Sequence, residues 1–115
     1  MSSKDLAVLR KIEKHASAII EYCKDFHSRI EFENNSMCVE ATVFNLMQIG
    51  ELAKTALDDS LKQELVSIPW KQLYGMRNRI VHGYEGINMQ IVWDTVSEDI
   101  PRLQRELQQI IFKLS

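Results

Sequence analysis

The chain has 115 residues, of which 45% are hydrophobic and 26% are charged, a size and composition suited to one domain with a modest core. Its uninterrupted apolar stretches are only a few residues long, which excludes a membrane-spanning segment. A formal net charge of −2 argues against a general nucleic-acid coat protein, so any nucleic-acid site must be local. We expect a single domain over residues 1–115. Charged residues follow Ser2 and Ser3 where a secretory signal would be apolar, so the expected location is the cytoplasm.

The first predicted helix is marked by apolar residues at alternating spacings of three and four, which places them on one helical stripe. They are Leu9, Ile12, Ala16, Ile19, Cys23, Phe26 and Ile30. Polar residues from Glu31 to Asn35 break the pattern and predict a loop. Asn35 or Ser36 is expected to cap the next helix.

The second long helix is predicted to run from this cap to about Leu57, and it is apolar on more than one face. Its apolar residues are Val39, Val43, Phe44, Leu46, Met47, Ile49, Leu52, Ala53 and Ala56. In a two-layer domain, such a helix is either central or packed against another subunit. A break at Asp58–Ser60 and a short helical turn to about Val66 are expected to follow.

The third long helix is predicted to begin with Ser67 as N-cap and Pro69 in its first turn, and to stop at Gly83. After a turn to Asn88, the last helix again repeats apolar residues at spacings of three and four, and Pro101 inside it should produce a kink near residues 97–101. Its apolar residues are Met89, Val92, Val96, Ile100, Leu103, Leu107, Ile110 and Leu114. The sequence therefore predicts an all-α, up-and-down four-helix bundle with a short additional helical turn and a kinked last helix.

The two cysteines and two of the three histidines are not expected to bind metal. Cys23 and Cys38 lie in apolar helical patterns, which favours buried free thiols over a disulfide or a metal pair. His15 and His27 flank the apolar stripe of the first helix at non-matching positions, which indicates surface or boundary residues. No metal site is predicted.

A positive island lies between Leu65 and Tyr84. This stretch contains no acidic residue, whereas Lys71, Arg77 and Arg79 give it a formal charge of about +3. The remainder of the chain therefore carries about −5, which is the total of −2 less this +3. A positive island that also holds an imidazole suits an anionic ligand such as RNA phosphate.

The third helix separates the polar and apolar residues of this island. On a helical wheel one narrow polar stripe contains Lys71, Gly75, Asn78 and His82, and the opposite, core-facing side contains Leu73, Met76 and Ile80. Arg77 lies elsewhere, at the edge of the apolar face, where its donors need a partner because an unpaired buried charge is costly. It is expected to reach solvent or to point into a groove or subunit interface.

Arg77 and His82 are about 140° apart around the helix and about 7 Å apart along it, so one straight helix does not obviously aim both at one phosphate. Two copies of the chain across a two-fold axis could do so, which predicts a homodimer with a composite site. The plainer interpretation gives Arg77 a structural salt bridge and leaves His82 as a polar residue at a helix end. The residues alone leave both interpretations open.

The motif Arg77-x4-His82-x-Tyr84 resembles the Arg-x4-His-x-Tyr motif of HepT toxins, a branch of the all-helical HEPN superfamily of RNases. The resemblance covers roughly residues 5–112. It extends to these further segments: Asn45-Leu46-x2-Ile49-Gly50-Glu51; Ile68-Pro69-Trp70 followed by Gly75-Met76-Arg77-Asn78; and Val92-Trp93-x2-Val96-x2-Asp99-Ile100-Pro101-x-Leu103.

The resemblance implies metal-independent RNA cleavage by a homodimer in which two motifs meet in a cleft. His82 would move a proton at the ribose 2′-hydroxyl or the leaving oxygen, and Arg77 would hold the phosphate. Asn78 would orient the substrate or the imidazole, and Lys71 and Arg79 would bind substrate. No cofactor is implied for the chain itself.

The resemblance also implies a partner, a minimal nucleotidyltransferase (MNT) antitoxin that uses ATP and Mg²⁺ to transfer AMP onto the motif tyrosine, here Tyr84. A phosphate-bearing adduct at this position would repel and block RNA. A plainer role for Tyr84 is packing on the last helix near Trp93, and the two roles are compatible. The rival function is a non-catalytic substrate-binding subunit of a nucleotidyltransferase.

Three further residues have alternative interpretations. Glu51 would either pair with Arg77 or Arg79 inside the dimer or lie on an exposed face. The two tryptophans, Trp70 and Trp93, are expected in the core or an interface and not as base-stacking platforms.

Overall fold

Seven α-helices follow one another in the computed structural model, which describes residues 2–114. They are α1 (Ser3–Cys23), α2 (Arg29–Glu33), α3 (Ser36–Thr55), α4 (Asp59–Glu64), α5 (Trp70–Gly83), α6 (Met89–Asp94) and α7 (Ile100–Leu114). A 3₁₀ turn, Tyr84–Gly86, follows α5, and a π-helical turn, Thr95–Asp99, joins α6 to α7. No helix in this range is long and apolar enough to cross a membrane.

The long helices form an all-α bundle in which α5 packs on α3, α3 on α1, and α1 on α7. The side-chain contacts show that each pair is antiparallel, as the up-and-down prediction requires. For example, Gln104 Nε2 donates to Ser17 Oγ and Gln108 Nε2 donates to Glu13 Oε1, so α7 runs in the opposite direction to α1. The fully buried aliphatic side chains include Leu9, Ile12, Ile19, Ile49, Ile100, Leu103 and Leu107.

The predicted extent of the first helix is wrong. The helix ends at Cys23, and Ile30 is 60% exposed in a separate helix, α2. A variant of the capping box begins α2: the Glu31 amide donates to Oγ of the N-cap Ser28 at 3.3 Å, and the Glu31 carboxylate accepts at 3.0 Å from the amide of His27, the residue before the N-cap. Because these bonds satisfy the free amides of a new helix start, residues 29–33 are helical where a loop was predicted from Glu31 onward.

The start of α5 also differs from the prediction. Pro69, and not Ser67, occupies the N-cap position, and no side chain caps the helix there. The indole of Trp70 donates to the Leu65 carbonyl at 3.1 Å, and the Ile68 amide donates to the same carbonyl at 3.2 Å. These bonds hold residues 65–69 in a turn before the helix, so Ser67 lies outside it. By contrast, Asn35 caps α3 as expected, accepting from the Cys38 amide at 3.0 Å.

The irregularity predicted for the last helix lies where Pro101 places it. The turn Thr95–Asp99 is π-helical, and the Ile100 amide bonds to the Thr95 carbonyl, one residue further back than in an α-helix. Proline has no amide hydrogen and crowds the preceding turn, so the regular ladder cannot continue through it. Helix α6, the π-helical turn and α7 therefore follow one another without an intervening loop.

Helix α3 is buried on one side and apolar on its outer side as well. Val39, Val43 and Ile49 lie in the core, whereas Met37 is 76% and Phe44 53% exposed. This outer face gives α3 the apolar surface on more than one side that the sequence indicated.

Candidate active site

Three buried side chains fix the orientation of α5 in the bundle. Leu73, Met76 and Ile80 point into the core, as the wheel predicted. Because these anchors occupy one side of the helix, Arg77 emerges next to α3, and His82 is exposed near the C-terminal end of α5.

Helices α3 and α5 approach each other closely at Gly50. A Cβ atom placed on Gly50 would lie 2.4 Å from the Cβ of Arg77 and 2.7 Å from the carbonyl oxygen of Leu73. Real side chains do not tolerate such contacts, so only glycine permits this packing. The base of the Arg77 side chain therefore rests directly on the backbone of α3.

Two neighbours hold the Arg77 guanidinium. Its Nε lies 2.8 Å from Glu51 Oε2, an ion pair whose angle falls short of a hydrogen bond, and its Nη1 donates to Asn78 Oδ1 at 3.0 Å. Among residues 2–114, the hydrogen bonds of Arg77 involve Nη1 alone, which leaves Nη2 for an incoming anion. The side chain is 25% exposed, although its Nε is buried.

The partner of Glu51 is thus settled for a single chain. It pairs with Arg77 of the same chain, and its side chain is 44% exposed. An ion pair this accessible stabilises the fold by only about 0–1 kcal/mol. Its larger effect is geometric, because it restrains the long, flexible side chain of Arg77 between α3 and α5.

A second contact between α3 and α5 lies one turn away and was missed by sequence reasoning. Lys54 Nζ donates to the Tyr74 hydroxyl and lies 4.1 Å from the centroid of the tyrosine ring. The hydrogen bond from Lys54, followed by the side chain of Asn78, lowers the pKa of Tyr74. One part of this arrangement had a sequence signal: Tyr74 and Asn78 are four residues apart, which places both on one face of α5.

His82 and two of the basic residues line adjoining grooves on the other side of α5. One groove of about 380 Å³ is lined by Arg79, His82 and Asn88, among others. It shares Arg79 with a groove of about 440 Å³ that includes Lys71 and has an apolar floor from α3 and α5. Arg77 lines neither groove, so within residues 2–114 it does not share either of these two grooves with His82.

Tyr84 follows directly on α5 in the 3₁₀ turn and is 44% exposed. Packing against Trp93 was the plainer role considered for it. The Trp93 ring lies against Phe32, with the ring centroids 5.6 Å apart, and the ring contacts found among residues 2–114 do not include Tyr84. The phenol of Tyr84 is therefore accessible at the same helix end as His82.

The remaining candidates have structural surroundings. Cys23 is a buried free thiol 3.6 Å from Thr42 Oγ1, and burial raises its pKa; Cys38 is free and half-buried. The Nδ1 atom of His15 is 2.7 Å from Oδ1 of Asn45, a buried amide in α3, so His15 is a boundary residue. Within residues 2–114 no group of three or more histidine, cysteine, aspartate or glutamate side chains could hold a metal ion.

Comparison with known proteins settles the family. Residues 8–110 match the family described as ribonuclease HepT-like. The chain belongs to the HepT-like ribonuclease family. The resemblance noted in the motif is thereby confirmed over nearly the whole chain, and with it the HEPN type of bundle.

Curated relatives of this HepT-like chain are similar over most of their length. A "Putative RNase" of Methanocaldococcus jannaschii is 35% identical over 109 residues, covering 94% of this chain and 98% of the relative. A "Probable ribonuclease HepT" of Thermococcus cleftensis is 33% identical over 95 residues, covering 79% of this chain and 84% of the relative. A "Putative RNase" of Caldanaerobacter subterraneus is 30% identical, covering 83% and 89%. No solved structure matches the chain.

Proposed function

We propose that this HepT-like chain is a metal-independent endoribonuclease and the toxin of a toxin–antitoxin pair. In this proposal it acts in the cytoplasm as a homodimer and is silenced when a nucleotidyltransferase transfers AMP to Tyr84. The observation that carries the nuclease assignment is Arg77. Its guanidinium is held between Glu51 and Asn78 with one nitrogen open, on the same helix as an exposed His82.

The requirement for two copies follows from the separation of the two motif residues. Arg77 lies beside α3, whereas His82 lines a groove on the other side of α5. Exposed apolar side chains lie on these same two helices, with Phe44 53% and Val81 45% exposed. Covering them with a second copy would bury apolar surface, which is favourable, and would bring the two motifs into one cleft.

The proposed reaction is a transesterification, in which the phosphoryl group moves from the 5′-oxygen to the neighbouring ribose 2′-oxygen. The 2′-oxygen forms a bond to phosphorus as the bond to the 5′-oxygen breaks. One proton leaves the 2′-hydroxyl and one reaches the leaving 5′-oxygen; His82 carries out one of these two transfers and water the other, while Arg77 neutralises charge on the phosphate oxygens. Asn78 fixes the guanidinium through its bond to Nη1. The products are a cyclic phosphate and a free 5′-hydroxyl.

Lys71 and Arg79 are proposed to bind the RNA strand beside the reacting phosphate. Both are exposed and line the groove of about 440 Å³, and Arg79 also lines the groove of about 380 Å³ that contains His82. A strand in this groove would meet two cations and an apolar floor, a combination suited to phosphates and bases.

Silencing at Tyr84 is consistent with its position. The hydroxyl belongs to an exposed side chain two residues beyond His82, so a transferase could reach it. Each transferred AMP would add a negatively charged phosphate and a bulky nucleoside next to the cationic site, which would repel RNA. ATP and Mg²⁺ would be needed by the partner enzyme only.

The alternative function is a non-catalytic substrate-binding subunit of a nucleotidyltransferase. One observation favours it: Arg77 already has a carboxylate partner within its own chain and does not line the groove that contains His82. In that case His82 would be dispensable.

Expression in a bacterial host without the partner tests the proposal. Wild type should arrest growth and fragment RNA, and His82→Ala should do neither while remaining soluble and helical. The matched control is His27→Ala, because His27 is also exposed but lies in the turn before α2. Normal growth and intact RNA with all three soluble proteins would support the binding subunit and reject the nuclease.

Two purified-protein assays test the finer points. Cleavage by the wild type should continue in EDTA and yield cyclic-phosphate ends; abolition by EDTA would reject metal independence. Incubation with the cognate nucleotidyltransferase, ATP and Mg²⁺ should add mass in units of AMP to wild type and not to Tyr84→Phe. An adduct retained by Tyr84→Phe would rule out this mode of silencing.

A further inference from the structure

Helices α3 and α5 carry two successive cross-helix contacts on their exposed side. Glu51 meets Arg77 in the first contact, and Lys54 meets Tyr74 in the second. In each helix the two residues are three apart, so the contacts are separated by nearly one helical turn, about 4.5 Å along the helix axis. Asn78 links them, since it accepts from Arg77 and helps to lower the pKa of Tyr74.

The two contacts differ in charge. Glu51 offsets the charge of Arg77, whereas none of the ion pairs formed between residues 2 and 114 includes Lys54. Lys54 is exposed, and its ammonium is held by a hydroxyl and a ring face, not by a carboxylate. This surface therefore presents a cation that is fixed in position but not neutralised.

The Lys54 ammonium retains capacity for a ligand. An ammonium has three N–H donors, and the Tyr74 hydroxyl takes one of them. The side chain of Lys54 is exposed, so solvent can reach the ammonium, and Lys54 lies on the same helix as Glu51, the partner of Arg77. Because the lysine is already ordered by Tyr74, an anion that binds there need not restrain a freely moving side chain.

We propose that Lys54 and Tyr74 form a second phosphate subsite, which binds the RNA phosphate next to the one held by Arg77. The axial offset of about 4.5 Å between the two contacts is of the same order as the step of about 3.4 Å between successive phosphates along one strand of a duplex. Lys54 supplies the charge, and Tyr74 positions it. The subsite rests on the proposed nuclease function and identifies how the substrate strand continues along α3.

The test uses full-length protein and a fluorescein-labelled, single-stranded 2′-O-methyl oligonucleotide, which has no free 2′-hydroxyl and so is not cleaved. Binding is measured by anisotropy over a series of salt concentrations. Lys54→Met should weaken binding about two- to five-fold and reduce the salt-dependence slope by about 0.7, the value for one phosphate contact on a single strand. Tyr74→Phe should weaken binding less and leave the slope unchanged.

Two comparisons make the result decisive. Lys14→Met removes the same charge from an exposed position on α1, so its slope should stay close to that of the wild type. If Lys54→Met matched Lys14→Met, the subsite would be refuted. A change in dimerisation by Lys54→Met, measured by sedimentation at unchanged RNA affinity, would make the pair a subunit contact and also refute the subsite.

Failure of the subsite is distinguishable from failure of the nuclease proposal. If wild type cleaves RNA and Arg77→Ala does not, while Lys54→Met retains the wild-type KM and slope, only the subsite fails. If wild type neither binds nor cleaves RNA, both proposals fail.

A spectroscopic measurement separates substrate binding from a structural role. With ¹³C-labelled tyrosine rings, the Tyr74 signal is assigned by its loss in Tyr74→Phe and followed as pH rises. Saturation with the 2′-O-methyl strand should raise the pKa of Tyr74, because a phosphate adds negative charge and competes for the Lys54 ammonium. An unchanged pKa at saturation would contradict phosphate binding at this position.

Discussion

Replacing Gly50 with alanine should destabilise the protein, although alanine is the better helix former. The added Cβ would lie 2.4 Å from Arg77 Cβ, about 1 Å inside the 3.4 Å at which ordinary contacts begin. It would also lie 2.7 Å from the backbone carbonyl of Leu73, which cannot move without α5. The two helices must therefore separate locally, and overpacking of this kind costs about 1–3 kcal/mol.

Gly75→Ala is the matched control for this prediction. Gly75 is also helical, but a Cβ there would meet nothing within 4 Å. Both substitutions gain helix propensity, about 1 kcal/mol in a helix interior. This gain cancels when the variants are compared, so Gly50→Ala should be less stable than Gly75→Ala by about 1–3 kcal/mol. Gly75→Ala itself should be more stable than wild type.

Urea denaturation monitored by helical circular dichroism measures this difference. All three proteins should be compared at one protein concentration, because a dimer gains apparent stability by mass action. Equal unfolding free energies for the two alanine variants would refute the close approach at Gly50. RNA cleavage provides the functional readout, since Gly50→Ala should displace Arg77 and the variant should therefore cleave RNA more slowly.

The remaining predictions concern the ion pair, the thiols and the phenol. Glu51→Gln should lower kcat/KM for RNA about ten-fold by releasing Arg77, with little change in stability; unchanged kinetics would exclude a positioning role. Ellman's reagent should modify Cys38 rapidly and Cys23 slowly, because burial raises the pKa of Cys23; a rapid phase that survives Cys38→Ser would disprove this. NMR titration should find the Tyr74 pKa below its ordinary value of about 10, because the ammonium of Lys54 favours the phenolate. Lys54→Met should raise the pKa of Tyr74, and an unchanged pKa would contradict this cause.

Local sequence signals predicted most of the helical framework, and they were wrong where a second local signal competed. Apolar spacing continued through Phe26 to Ile30, yet the capping box at Ser28 begins a new helix there. Ser67 has the chemistry of an N-cap, but the bonds that Trp70 and Ile68 make to the Leu65 carbonyl place it outside α5. Spacing reports which residues can share a face; it does not report which hydrogen bonds end a helix.

The sequence by itself determined the helical class, the core face of α5 and the family, because periodicity and motif residues are properties of neighbours along one chain. Only the tertiary structure decided what each motif side chain contacts. It paired Glu51 with Arg77, brought Lys54 to Tyr74, and placed His82 in a separate groove. These outcomes depend on the register and distance between α3 and α5, which the absence of a side chain at Gly50 permits. That close approach arises between residues more than twenty positions apart, so no local pattern encodes it.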